Sequence, residues 1–518
     1  MNMTPAVLYS TVFIAYTLLI FWVTWVTSRR ADNETFFIGN RRSPWFVVAY
    51  GMIGASLSGV TFMSVPGAVA RQNFYYMPMV FGFFVGYLIV ATVLMPLYYR
   101  MNLTSIYGYL EHRFGVHSYR TGAAFFILSR CLGATLRMFL VVEVLYLFIL
   151  RQFGMPFEVA AILFIALILA YTMKGGIRTI VWTDTLQTTF MLLAVVLSIC
   201  FISREMRWDF ATFCTTVSGC DYFRFLDTDW HSGTFFLKQF FSGIFVTIAM
   251  TGLDQEMMQK NLSCRNIHDA QKNMYVFSGI LIAINLLFLT LGAVLAIYLI
   301  STPEGTAQLS QWITDKQTDR IFPTVAFEHL GTVAGLVFFV GLISSAYPSA
   351  DGALTSLTTS FCIDVLAMER RKYWDEMKRR RIRYVVHVAF ALLFLGLILF
   401  FNVVRNDAII NLVYDVASYT YGPLLGLFLF GILTKRRVRD AWIPGIAVAS
   451  PLLCFVCEFL AERYCGFSFG FTLLIVNGAY TFLGCLLTSR PAISGSDPTP
   501  SVPSTPVDVS TAPGRAKE

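Results

Sequence analysis

The chain has 518 residues, of which 56% are hydrophobic and 14% charged, with a net charge of +8 and a mean hydropathy of +0.63. A charged fraction this far below the usual quarter excludes an ordinary soluble domain. The excess of positive charge does not point to nucleic acid, because the Lys and Arg residues sit in short loops between apolar runs, where membrane topology puts them.

Apolar length predicts about thirteen transmembrane helices. In chain order they fall at roughly 7–27, 44–69, 75–98, 121–150, 156–173, 182–203, 235–257, 274–300, 332–363, 384–403, 408–433, 441–461 and 468–488. The first run follows no basic segment and is trailed by Arg29 and Arg30, so it reads as a retained span rather than a signal peptide. Every second loop is rich in Lys and Arg: Arg41 and Arg42, Arg100 and Arg113, Lys260 and Arg265, then "ERRKYWDEMKRRRIR" and "KRRVR". The positive-inside rule makes that side cytoplasmic, with the N-terminus outside and the C-terminus inside a multi-pass cell (inner) membrane protein. The outer loops 204–234 and 301–331 are long, and the second is expected to hold a short surface helix. Residues 1–490 are read as one transmembrane domain. The Pro/Ser/Thr-rich segment 491–518 is expected to be a disordered cytoplasmic tail, too short for a signalling domain.

The ten cysteines are scattered, mostly inside apolar runs, so no structural metal is expected. Cys214 and Cys220 share an outer loop, where a disulfide and two free thiols are both open. No HExxH, GxSxG or Walker pattern is present, so neither an enzyme nor a nucleotide-driven pump is indicated. Channels, secondary carriers and unusual intramembrane enzymes are left.

Three segments carry more polar residues at depth than small-residue helix packing explains. "YGMIGASLSGVTFMSVPGAV" (50–69) places Gly51, Gly54, Gly59 and Gly67 in one apolar run, with Pro66 near its end. Each Gly costs a helix about 1 kcal/mol, so this helix is expected to unwind at mid-membrane and expose carbonyls near Gly54 and Leu57. Such backbone is tolerated only where it is buried or lines a cavity. "GLISSAYPSADGALTSLTTSFCID" (341–364) combines hydroxyls, a carbonyl of Ser344 freed by Pro348, and Asp351. That is a hard-oxygen set suited to a small cation. In "GGIRTIVWTDTLQ" (175–187) a Gly pair starts a helix and Asp184 lies about two turns in. It reads either as a membrane-edge cap or as an ion or gating carboxylate. Asp254 and Gln255 read as a helix-end network, and the tyrosines at 347, 414, 419 and 421 as packing or gating groups.

At these residues the chain resembles the sodium:solute symporter family. The matching stretches are "GASLSGVTFMSVPGA" (54–68), "YLEHRFG" (109–115), "GGIRTIVWTDTLQ" (175–187), "GLDQEMMQKNLS" (252–263), "SADGALTSLTTSFCIDV" (349–365) and "SYTYGPLLGLFLFGI" (418–432). The resemblance implies an all-α, polytopic membrane protein with a LeuT-type core of two inverted five-helix repeats, here about 44–203 and 235–433. It implies sodium as the coupling ion, held by carbonyls of Gly54, Leu57 and Ser345 and by positions 348 and 349. Ser349 supplies a hydroxyl there and Pro348 does not. It also implies a second cation site at Asp184 and Asp351. The solute pocket would draw on Ser56, Ser58, Thr61, Val80, Arg137, Thr247, Met250 and Asp415. No Lys occurs within 274–300, which disfavours glucose or galactose. An arginine beside hydroxyls suits a carboxylate held bidentately, so the expected solute is an organic acid, an amino acid or an acidic sugar. The expected function is sodium-coupled symport by alternating access. A proton-coupled carrier and a transporter-like sensor are the alternatives. Partners are the solute, the ion and the lipid bilayer, with no protein partner required.

Overall fold

The computed structural model describes residues 5–28, 33–148, 150–371, 373–404, 408–467 and 469–491. The segment 492–518, read as a disordered tail, lies outside them. Helix α1 (Pro5–Thr27) precedes a helix that the sequence could not sustain. α2 (Trp45–Ser56) and α3 (Gly59–Gln72) are separated at Leu57 and Ser58, both extended, and their axes bend by 59°. Ser58 then caps α3, its Oγ accepting from the Thr61 N–H at 3.4 Å.

α4 (Met77–Ile89), α5 (Val116–Phe148) and α6 (Phe157–Glu205) follow. α6 has 49 residues, about 74 Å of helix against a hydrocarbon core of about 30 Å. It is broken at Gly176, whose φ is 51° and ψ −137°. A Cβ there would lie 2.5 Å from the Phe36 ring, so only glycine fits. The two runs expected at 156–173 and 182–203 lie on either side of this break, and Asp184 sits two turns beyond it.

α7 (Phe236–Thr247) passes through a π-turn at Ile248–Gly252 into α8 (Gln255–Leu262), with a bend of 66°. Asp254 caps α8, accepting from the N–H groups of Glu256 at 2.9 Å and Met257 at 3.2 Å. The two expected repeats therefore each begin with a broken helix. The sequence announced the first break with four glycines, but the second rests on Gly252 and one capping Asp. α4 and α7 meet through glycine: a Cβ on Gly82 would fall 2.1 Å from the Phe240 carbonyl, and one on Gly243 2.2 Å from that of Met79.

α9 (Ile267–Ile300), α10 (Gly331–Ser360), α11 (Glu376–Val404), α12 (Ala408–Leu433), α13 (Ile443–Cys465) and α14 (Leu473–Thr488) complete the bundle. The expected surface helix in 301–331 is Pro303–Thr314. Among the described residues, nine helices are long and apolar enough to cross a membrane, or eleven if each bent pair is one span. That test does not reproduce thirteen: α6 counts once, and α12 qualifies only as a short apolar helix, Ser418–Leu433. α10 is the centre of the molecule, with every residue from 341 to 360 buried. All ten cysteines are free thiols, including Cys214, Cys220 and the Cys454/Cys457 pair inside α13.

Candidate functional site

The break between α2 and α3 lies flat against one turn of α10. The Gly54 N–H donates to Thr188 Oγ1 on α6 at 3.0 Å. A Cβ on Gly54 would come 2.5 Å from that oxygen and 3.6 Å from Pro348 Cγ. A Cβ on Gly59 would lie 3.5 Å from Ser345 Oγ and 3.6 Å from Ala346 Cβ. Glycine at both positions lets two backbones approach, and the last carbonyls of α2 have no following turn to bond them. The stretch from Gly54 through Leu57 to Gly59 thus faces the turn of α10 that carries Ser345 and Pro348, with Ser349 next in the chain. The two serines differ there. Ser345 Oγ donates to the Leu342 carbonyl of its own helix at 2.7 Å. Ser349 Oγ is buried without a hydrogen-bond partner, a costly state for a hydroxyl unless something else meets it.

Asp184 and Asp351 are both fully buried. Asp351 Oδ2 accepts from Tyr171 OH at 2.7 Å, while its Oδ1 has no hydrogen-bond partner. Asp184 does not cap a helix at the membrane edge. Its Oδ2 is paired with Lys260 Nζ at 2.7 Å, with both side chains excluded from solvent, and its Oδ1 is unpartnered. Lys260, which the loop pattern counts among cytoplasmic surface charges, is instead 1% exposed.

Lys260 belongs to a larger set. It lies 3.9 Å from Glu256 one turn earlier on α8, and Arg130 on α5 reaches both Glu256 and Asp254 at 3.0 Å. Tyr421 OH donates to the other oxygen of Asp254. Gly352 makes room for this group, since a Cβ there would sit 2.4 Å from Glu256 Oε1. Gln255 does form the expected helix-end contact, its Oε1 accepting from the Ile106 N–H at 3.0 Å and its Nε2 donating to the Thr104 carbonyl at 2.9 Å. Lys260, Glu256, Thr188 and Tyr171 escaped the sequence reading. The one available signal was the four-residue spacing of Glu256 and Lys260.

The expected solute residues are only partly gathered. Ser58 Oγ and Thr61 Oγ1 stand 3.3 Å apart at the break, and Ser56 ends α2 beside them. Arg137 is half-buried on α5, one turn before Val141, whose methyl would lie 3.6 Å from a Cβ on Gly59. It is engaged electrostatically with Glu256. Val80 is buried in a cluster with Val69 of α3 and Leu289 and Ala293 of α9, Thr247 is buried where α7 meets Gly86 of α4, and Thr247 Oγ1 has no hydrogen-bond partner. Met250 is half-buried in the π-turn. Asp415 falls on α12 where side chains lie outside the described residues, as does Tyr414. Tyr347 packs, stacked on Phe164 with centroids 5.6 Å apart.

The family model of the sodium:solute symporter family matches residues 36–444. The sodium/sialic acid symporter of Proteus mirabilis is 23% identical over 85% of this chain and 86% of its own. The human sodium-coupled monocarboxylate transporter 1 is 22% identical over 77% of this chain and 64% of its own. A solved structure of a sodium-coupled sialic acid symporter in a substrate-bound outward-open state superposes with a TM-score of 0.74 at 20% identity, covering 93% of this chain and 99% of that one. This likeness gives the fold, a LeuT-type all-α membrane bundle.

Proposed function

The chain belongs to the sodium:solute symporter family, and from that premise we propose that the organic solute it carries with sodium bears a carboxylate: an organic acid, an amino acid or an acidic sugar. The protein is a multi-pass membrane carrier and not an enzyme, and sodium is its coupling ion. In our reading the ion sits between the α2–α3 break and α10. Carbonyls of Gly54, Leu57 and Ser345 and the hydroxyl of Ser349 are its ligands, and Pro348 contributes no oxygen. The observation that carries this is the buried, unpartnered Ser349 Oγ on a turn packed against broken backbone. Unwound helix at membrane depth is the means by which carriers of this architecture ligate cations and solutes.

The solute is assigned to the other side of the break. Ser56, Ser58 and Thr61 offer hydroxyls, and Arg137 offers a planar fork with more donors than one carboxylate contact uses. Val80, Thr247 and Met250 shape the wall, and Asp415 is assigned to an amino or hydroxyl group of the solute. The basic loops support a cell membrane location with the N-terminus outside and the C-terminus cytoplasmic. Residues up to 490 form one transport domain in this reading, with core repeats of about 44–203 and 235–433.

The test is thermal stability of the purified carrier in sodium against choline at fixed ionic strength, followed by a solute panel in sodium. Sodium should raise the midpoint, since a ligand of the folded state stabilises by RT ln(1 + [L]/Kd). A carboxylate solute should raise it further, and Arg137→Gln should abolish the second rise while keeping the first. A neutral sugar that stabilises as well as any acid would overturn the solute assignment.

A further inference from the structure

The buried charges around α8 do not balance. Asp254, Glu256, Asp184 and Asp351 supply four carboxylates, each fully or almost fully buried. Facing them are Arg130 at 3.0 Å from Asp254 and Glu256, Arg137 engaged with Glu256, and Lys260 at 2.7 Å from Asp184. Counted as ionised, the four carboxylates outnumber the three cations by one, a difference that a proton or a free cation makes up. The deficit is localised on Asp184 and Asp351, each with one oxygen carrying no hydrogen-bond partner. Lys260 also acts electrostatically on Asp351, so its ammonium serves both carboxylates. An isolated charge in such surroundings is expensive, and a free cation would remove the deficit.

We propose that Lys260 is a tethered cation that limits the carrier to one bound sodium: it occupies the carboxylate of Asp184 that would otherwise, with Asp351, hold a second ion. The inference rests on the sodium reading of the previous section. An ammonium is a compact point charge that donates from a flexible stem, and at Asp184 it occupies Oδ2 at 2.7 Å. With Lys260 present, Asp184 already holds a cation, and the one sodium is left to the α2–α3 break. Without it, two positive charges are missing, and the hard oxygens of Asp184 and Asp351 are open to a second small cation.

The experiment measures radiolabelled sodium bound at saturation by the full chain in lipid nanodiscs, with choline replacing sodium at constant ionic strength. The wild type should bind one ion per chain, Lys260→Gln two, and the double variant Lys260→Gln with Asp184→Asn one. A wild type that binds two ions, or a Lys260→Gln protein that still binds one, overturns the proposal while leaving the Ser349 site standing. No sodium on either protein strikes the underlying sodium reading itself. Lys260→Gln can also fail to fold in the absence of its ammonium. Folding restored by raising sodium, and lost again in choline, then supports the proposal. A variant unfolded at every sodium concentration, beside a stable double variant, overturns it, because no free cation can then replace the ammonium.

Discussion

Ser349→Ala separates a ligand from a structural hydroxyl. Ser349 is 4% exposed and its Oγ bonds to nothing in the protein, so removing it sacrifices no internal hydrogen bond and the sodium-free protein should keep its thermal midpoint. The loss appears only when the ion is bound. A polar contact to a charged group contributes about 1.5–3 kcal/mol, which is roughly a 10- to 150-fold rise in half-saturating sodium at about 1.4 kcal/mol per tenfold. Ser345→Ala is the control. Its Oγ is already spent on the Leu342 carbonyl and only its backbone carbonyl is assigned to the ion, so half-saturating sodium should move less than about threefold, below 1 kcal/mol. The assay is a midpoint titration with sodium against choline, repeated as the sodium dependence of solute uptake in proteoliposomes. A Ser349→Ala curve superimposed on the wild type would refute the ligand assignment. So would equal shifts in both variants, because the reasoning turns on which hydroxyl is already bonded.

Three further substitutions probe the same region. Pro348→Ser adds the missing hydroxyl beside the break and should lower half-saturating sodium about three- to tenfold, the effect of about 0.5–1.5 kcal/mol, in the same titration. Gly54→Ala drives a methyl to 2.5 Å from Thr188 Oγ1. Overpacking of this kind costs about 1–3 kcal/mol, so the midpoint should fall in choline and sodium should bind more weakly, both read by the thermal titration. Arg130→Met leaves Asp254 and Glu256 without their buried guanidinium. Breaking a buried pair from one side costs about 3–5 kcal/mol, so it should lower the yield of folded protein far more than Arg380→Met on the exposed start of α11, measured by size-exclusion recovery.

What the sequence disclosed depended on whether the physical cause was local. The α2–α3 break was legible because its cause is in the segment itself: glycines and serines that weaken a helix where they stand. The hard-oxygen character of α10 was legible for the same reason, since Asp351 and the hydroxyls share one helix. The break before α8 was not, because one Gly and a capping Asp occur in many unbroken helices. Lys260 was misread because it precedes Arg265 and Lys272 and continues a basic loop by composition. Its burial comes from Asp184, 76 residues away in the chain, and no local pattern encodes that distance. The break at Gly176 was legible for a local reason too, since a Gly pair stands between the two apolar runs on either side of it.

The proposed position of the ion between broken backbone and α10 also bears on whether sodium alone can drive the cycle. An ion ligated by both elements favours only conformations in which they touch, so its binding free energy is differential between states, which coupling requires. Sodium at a hundred times its Kd contributes about 2.7 kcal/mol. Moving a two-state equilibrium from 1:99 to 99:1 takes about 5.5 kcal/mol. One ion therefore supplies about half of a full switch, and the remainder must come from the solute gripping the other face of the same break. If Lys260 holds the number of ions at one, it also keeps sodium below the level at which the ion could carry the transition unaided, and the absence of solute then suppresses sodium leak. On this argument Lys260→Gln, by admitting a second ion, should raise sodium uptake without solute relative to uptake with it, a ratio that proteoliposome flux measures directly and that an unchanged value would refute.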